Sequence, residues 1–116
     1  MKGPLEQIAS EAFFFYGDMV PLCSGLTDNM FYECKNLKKV ILPEGMERFS
    51  HAQQPEDIFS KCKKLESIYI PDSVVLYDDE FRIFNNTSSK CRILCHSGSN
   101  AEEFAKKYNI KYEIVP

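Results

Sequence analysis

The sequence predicts an α/β fold of short stacked units, a solenoid closed at its C-terminal end by a helix and a strand. Three observations predict it. The first is an internal repeat: Phe31 to Phe49 reads FYECKNLKKVILPEGMERF, and Phe59 to Tyr77, 28 residues on, reads FSKCKKLESIYIPDSVVLY. Phe, Cys, Leu and Pro recur at identical offsets, and the other shared positions exchange Val with Ile, Leu with Ile, Met with Val and Phe with Tyr. Self-similarity of this kind marks architectures in which each unit buries its apolar side only against its neighbours. The second observation is an apolar-x-apolar triplet with a turn residue after it in each copy, Val40-Ile-Leu42-Pro and Ile68-Tyr-Ile70-Pro. Alternate side chains of a strand face opposite sides, so Val40, Leu42, Ile68 and Ile70 are assigned to the interior. The third is the stretch from Ser99 to Val115, which carries a capped amphipathic helix and then an alternating strand.

Taken in order, the elements begin with a helix predicted over residues 4–16. Leu5, Ile8, Ala9, Ala12, Phe13 and Tyr16 share one face at helical spacing, with Pro4 in the first turn and Gly17 at the stop. Val20-Pro-Leu22 aligns with Val40-Ile-Leu42 and is predicted as a first strand, weak or at an edge because Pro21 has no N–H. Ile93-Leu-Cys95 is the fourth candidate strand. Ser50 to Ile58 is polar, contains Pro55, and reads as an inserted surface loop. Asp78-Asp79-Glu80 and Asn85 to Lys90 are the matching connections of the next unit. In the last part, Ser99 and Glu102 form a capping box, and Ala101, Phe104, Ala105 and Tyr108 make the apolar face. Glu102 and Glu103 precede Lys106 and Lys107 by four residues each, and Asn109 suits a left-handed stop. The whole is one domain: residues 1–17 as the N-terminal helix, 18–98 as repeats and 99–116 as the cap.

Composition narrows function by exclusion. The chain has 116 residues and a net charge of −3, which argues against a general nucleic-acid binder, since phosphate binding asks for a basic face. No run of about 18 apolar residues is present, so membrane insertion is not expected. Met1-Lys2 is followed by no apolar signal region. The expectation is either a cytoplasmic protein or a domain cut from a longer secreted one. Five cysteines, an odd number, argue against a closed disulfide framework.

The repeat itself, with Ile8-x3-Ala12-Phe13 before it and Gly98-Ser-Asn-Ala-Glu-Glu-Phe-Ala-Lys-Lys-Tyr-Asn-Ile110 after it, resembles the BspA-like leucine-rich repeat family. Resemblance is closest from Met30 to Tyr77. The first and fourth units depart from it, lacking the Phe-x2-Cys-x2-Leu step. The resemblance implies a short leucine-rich-repeat solenoid and a binding module of cell-surface or secreted proteins. It brings no catalytic residue and no cofactor.

Candidate site residues follow from the repeat frame. Cys34 and Cys62 share a column and read as small buried rungs, with a metal or redox pair or a disulfide between neighbouring rungs as the alternatives. Cys91, Cys95 and His96 form the best metal or thiol cluster, but no second ligand pair accompanies it, and Cys95 and His96 are strand neighbours that should diverge. His51 and His96 lack the setting of a general base, so no enzyme is predicted. Lys35 and Lys63 share a column that suits an anionic partner or a solvated face. Asn85-Asn86-Thr87 is a glycosylation sequon. The outward strand positions carry the functional expectation: Ile41, Tyr69 and Leu94 in one row, with Lys39, Ser67 and Arg92 beside them. An apolar row on a sheet face can mark a partner site for protein or glycan, self-association included; the alternatives are that a terminal helix, the long loop or a second chain covers it, or that the chain is a structural terminal segment of a longer repeat array.

Overall fold

The computed structural model describes residues 11–13, 31, 37–42, 44–50, 53–85 and 87–116. Five short strands form one parallel sheet: β1 (Glu11–Phe13), β2 (Lys39–Ile41), β3 (Ser67–Tyr69), β4 (Arg92–Cys95) and β5 (Tyr112–Ile114). Their order across the sheet is their order along the chain. Among the described residues one α-helix, α1 (Asn100–Lys107), lies between β4 and β5, and two 3-10 helices, Pro55–Asp57 and Asp78–Phe84, lie in the connections leading to β3 and β4.

Strand register follows the repeat. Val40 pairs with Ile68, and Ile68 with Ile93. Leu42 and Ile70 extend the ladder by donating to Tyr69 and Leu94 carbonyls at 3.2 and 2.9 Å. Val40, Leu42, Ile68, Ile70, Ile93 and Cys95 are all buried, as the alternation predicts. Upstream of the strands, Phe31 and Phe59 stack with centroids 4.9 Å apart and an interplanar angle of 15°. Adjacent strands are spaced about 4.8 Å apart, so two rings at one repeat offset are held face to face by the backbone. The Cys62 thiol donates to the Phe31 carbonyl at 3.0 Å and is free of any disulfide. Cys62 is therefore a buried rung; Cys34 and Cys23 lie outside the described residues, as do Lys35 and His51.

The repeat frame fails just after the turn. Its offset aligns Phe49 with Tyr77, yet the backbone bridge joins Arg48 to Val75, one residue out of step. Slipping a strand by one residue sends each side chain to the opposite face. Phe49 is fully buried and stacks on Phe84 at 6.0 Å, whereas Tyr77 is 50 % exposed with the Arg48 guanidinium 4.8 Å above its ring.

Three expectations need correction. The helix predicted over residues 4–16 is, in its described part, strand β1, paired with β2 from Glu11–Lys39 to Phe13–Ile41; residues 4–10 and 14–17 lie outside the described set. The aromatic run that begins at Phe13 favours strand, and the open edge of β2 supplies backbone partners that an isolated short helix lacks. β1 also takes the place beside β2 that the repeat alignment assigned to Val20–Leu22, themselves outside the described residues. Finally, Ser50 to Ile58 is more than a surface loop. Ser50 and Ile58 are buried, and Arg82 Nη2 donates to both carboxylate oxygens of Glu56 at 2.7 and 3.1 Å, tying one 3-10 helix to the next. In the longer 3-10 helix the three-residue period places Glu80 and Ile83 on one face, and both are buried.

The C-terminal helix forms where expected, with one change at its cap. Ser99 Oγ accepts from Glu102 N–H at 3.2 Å, but Glu102 reaches back to Gly98 N–H at 2.8 Å. The Ser99 N–H is already engaged with the His96 carbonyl. Lys106 pairs with Glu102, and Lys107, placed by spacing opposite Glu103, bonds Asp78 at 2.9 Å. Asn109 takes the left-handed conformation, φ 57°, and β5 follows parallel to β4.

Candidate functional site

β2, β3 and β4 each present one outward side chain at the same height. Ile41 pairs with Tyr69 and Tyr69 with Leu94, and all three are half-buried. Lys39, Ser67 and Arg92 form the neighbouring row. Lys39 and Arg92 are exposed and Ser67 between them is buried. Arg92 Nε reaches Glu113 Oε2 on β5 at 2.7 Å, so its charge is partly answered within the sheet. The register thus aligns Ile41, Tyr69 and Leu94 in one row and Lys39, Ser67 and Arg92 in the next.

The turns that leave the strands add two groups that sequence reasoning missed, Glu44 and Asp72, and bring in His96, which that reasoning weighs only as a metal ligand or base. Glu44 follows β2, Asp72 follows β3 and His96 follows β4. The Tyr69 hydroxyl donates to Glu44 at 2.8 Å, and its ring meets the His96 ring edge-on at 6.0 Å. His96 Nδ1 lies 2.9 Å from Asp72, and Nε2 lies 3.2 Å from the Pro116 carbonyl. Burial, and then the hydrogen bond to Glu44, push the Tyr69 hydroxyl up to about 12. It stays protonated at neutral pH and acts as a donor. The hydrogen bond that His96 donates to the Asp72 carboxylate raises it above the ordinary imidazole value. A signal was available: Pro-Glu-Gly and Pro-Asp-Ser occupy the same offset in the two copies, so the carboxylates had to stack near Tyr69.

The surface offers an apolar row, a fixed phenol and a rim of two carboxylates. Cys95 is in the core, and His96 faces outward to Asp72, so the two diverge as strand neighbours must. Among the described residues no group of three or more His, Cys, Asp or Glu side chains is arranged to hold a metal ion.

Comparison with protein-family models, with curated proteins and with solved structures finds no match for this chain. Among the described residues no helix is long and apolar enough to cross a membrane.

The cysteines give a direct chemical test of the buried-rung assignment. Cys62, Cys91 and Cys95 are buried free thiols, and burial pushes Cys91 up to about 12 and raises Cys95. Thiolate, not thiol, is the reactive form. With iodoacetamide at neutral pH, peptide mapping should find these three unlabelled in native protein and labelled in denaturant. Rapid labelling of native Cys91 or Cys95 contradicts the burial argument and revives a thiol-based role.

Proposed function

We propose that this chain is a non-enzymatic recognition module of the leucine-rich-repeat type, and that it binds a protein partner through the row Ile41, Tyr69 and Leu94. The observation that carries the reading is the register, which lines these three side chains up across β2, β3 and β4. An aromatic residue at the centre of an apolar row is the usual anchor of a protein interface. Glu44 and Asp72 beside it favour a partner whose apolar residues are flanked by Lys or Arg. The repeat motif and its resemblance to BspA-like proteins support a cell-surface or secreted setting. The raised thiol values and the outward turn of His96 weigh against a thiol- or metal-dependent reading of Cys91, Cys95 and His96.

The test is selection followed by substitution. Displayed peptides panned on the full chain should enrich apolar residues next to Lys or Arg. Ile41→Asp together with Tyr69→Asp should weaken the selected peptides by more than about tenfold, or 1.4 kcal/mol, while circular dichroism stays native. Peptides that bind the double variant with undiminished affinity refute the assignment.

A further inference from the structure

The sheet is electrically polarised along its strands. The connections that enter β3, β4 and β5 carry exposed lysines: Lys61, Lys63 and Lys64 before β3, Lys90 before β4, and Lys111 before β5. The turns that leave β2 and β3 carry Glu44 and Asp72. In a chain of net charge −3, lysines are thus gathered at one end of the ladder, with the exposed Glu66 beside β3 among them. That end also holds two clefts with a common wall, Thr87 to Ser89. One, of about 550 Å³, has Ser60, Lys61 and Lys63 on its far side. The other, of about 370 Å³, runs to Phe81, Tyr108, Asn109 and Lys111. Among the described residues, neither is lined by a carboxylate.

The walls are braced. Thr87 Oγ1 donates to the Phe84 carbonyl at 3.2 Å, the Lys90 N–H donates to Ser88 Oγ at 3.2 Å, and Lys111 Nζ donates to the Ser89 carbonyl at 3.2 Å. Lys61 sits in the left-handed region at φ 67°, a conformation that non-glycine residues adopt at a cost. Phe81 and Tyr108 stack at 5.1 Å with a 13° interplanar angle, and Phe81 is 37 % exposed, so the pair forms an aromatic wall.

We propose that these joined clefts bind an acidic oligosaccharide, with carboxylates against Lys63 and Lys111 and a sugar ring against the Phe81–Tyr108 wall. A pyranose presents a C–H face, which suits an aromatic ring, and hydroxyls, which suit the Asn85 and Asn109 amides and the Ser88 and Ser89 hydroxyls. Clefts of this size, part aromatic with a few fixed polar groups, are typical of ligand sites. A single-stranded nucleic acid fits less well: the two rings stack on each other and leave no slot for a base between them, and the chain lacks the broad basic surface that such binding uses. The site lies at the opposite end of the sheet from Glu44 and Asp72 and does not depend on the outer-row assignment.

Isothermal titration of the full chain with a galacturonic acid hexamer, with maltohexaose and with the oligonucleotide dT6 decides the matter. The acidic hexamer should bind, more weakly as salt rises, and at least about tenfold tighter than maltohexaose. Lys63→Glu and Lys111→Glu, both at exposed positions, should each weaken it, and the pair should weaken it by at least about tenfold. Native circular dichroism of both variants keeps a folding failure distinguishable. No heat with the acidic hexamer, equal affinity for maltohexaose, tighter binding of dT6, or undiminished binding by the doubly reversed variant each overturns the proposal.

Discussion

Replacing Phe59 with Ala should lower the unfolding free energy by about 3–5 kcal/mol, the range for truncating a buried Phe. Phe59 is fully buried, stacks on Phe31 at 4.9 Å, and its carbonyl accepts the Cys62 N–H at 3.1 Å. The loss therefore removes one ring from the ladder and leaves a cavity beneath the entry to β3. Since a domain of this size is stable by only about 5–15 kcal/mol, the urea midpoint should fall steeply. Phe59→Leu, which keeps most of the volume, should cost clearly less. Because the two rings are in contact, Phe31→Ala and Phe59→Ala should not add: a double-mutant cycle should return a coupling of about 0.5–1.5 kcal/mol. Strict additivity contradicts the stacked-rung description.

The second large effect concerns Glu80. This carboxyl is 3 % exposed, and its Oε2 has no hydrogen-bond partner, nor has the buried Nε of Arg48. Backbone N–H groups of Tyr77 and Ser50 and the Arg48 charge favour the ionised form, and Asp79 opposes it. Burial outweighs them and raises the group from 4.5 to about 7. The folded state then holds a proton that the unfolded chain releases near 4.5. Stability is highest below that value, declines as pH rises toward 7, and has lost the full contribution above it. At 1.36 kcal/mol per pH unit the span from 4.5 to about 7 amounts to about 3 kcal/mol. Glu80→Gln keeps the neutral shape, so it should be more stable than the parent at pH 8 by about that amount and should flatten the profile between pH 5 and pH 8. Chemical denaturation at several pH values measures both. A variant less stable than the parent at pH 8 means that the ionised carboxylate stabilises the fold.

The two cases mark different depths of legibility. Phe59 is readable from the chain because its environment is its own copy one unit back. The same logic found Val40, Ile68 and Ile93 in the core, and it placed Ile41, Tyr69 and Leu94 in one row. Capping chemistry found α1 for a related reason: the signals for its ends lie within a turn of it. Glu80 was assigned to a polar connection, and nothing in Asp78-Asp79-Glu80 separates the third acid from the first two. Its burial follows from the three-residue period of the 3-10 helix, which sets it beside Ile83. The apolar spacing of residues 4–16 satisfied a helix, yet the open edge of β2 drew Glu11–Phe13 into the sheet.

What the sequence by itself determined is the ladder: which residues face inward, how the units align, and how the last helix begins and ends. These follow from short-range periodicity and from like residues stacking on like. Only the tertiary structure decided the slip that pairs Arg48 with Val75, the turn of Tyr77 to the surface, the gathering of Glu44, Asp72 and His96 around Tyr69, and the two clefts at the lysine-bearing end. Each depends on contacts between segments of unlike sequence. There the packing of Phe49 on Phe84, or a hydrogen bond across one turn, overrides the spacing that the repeat would impose.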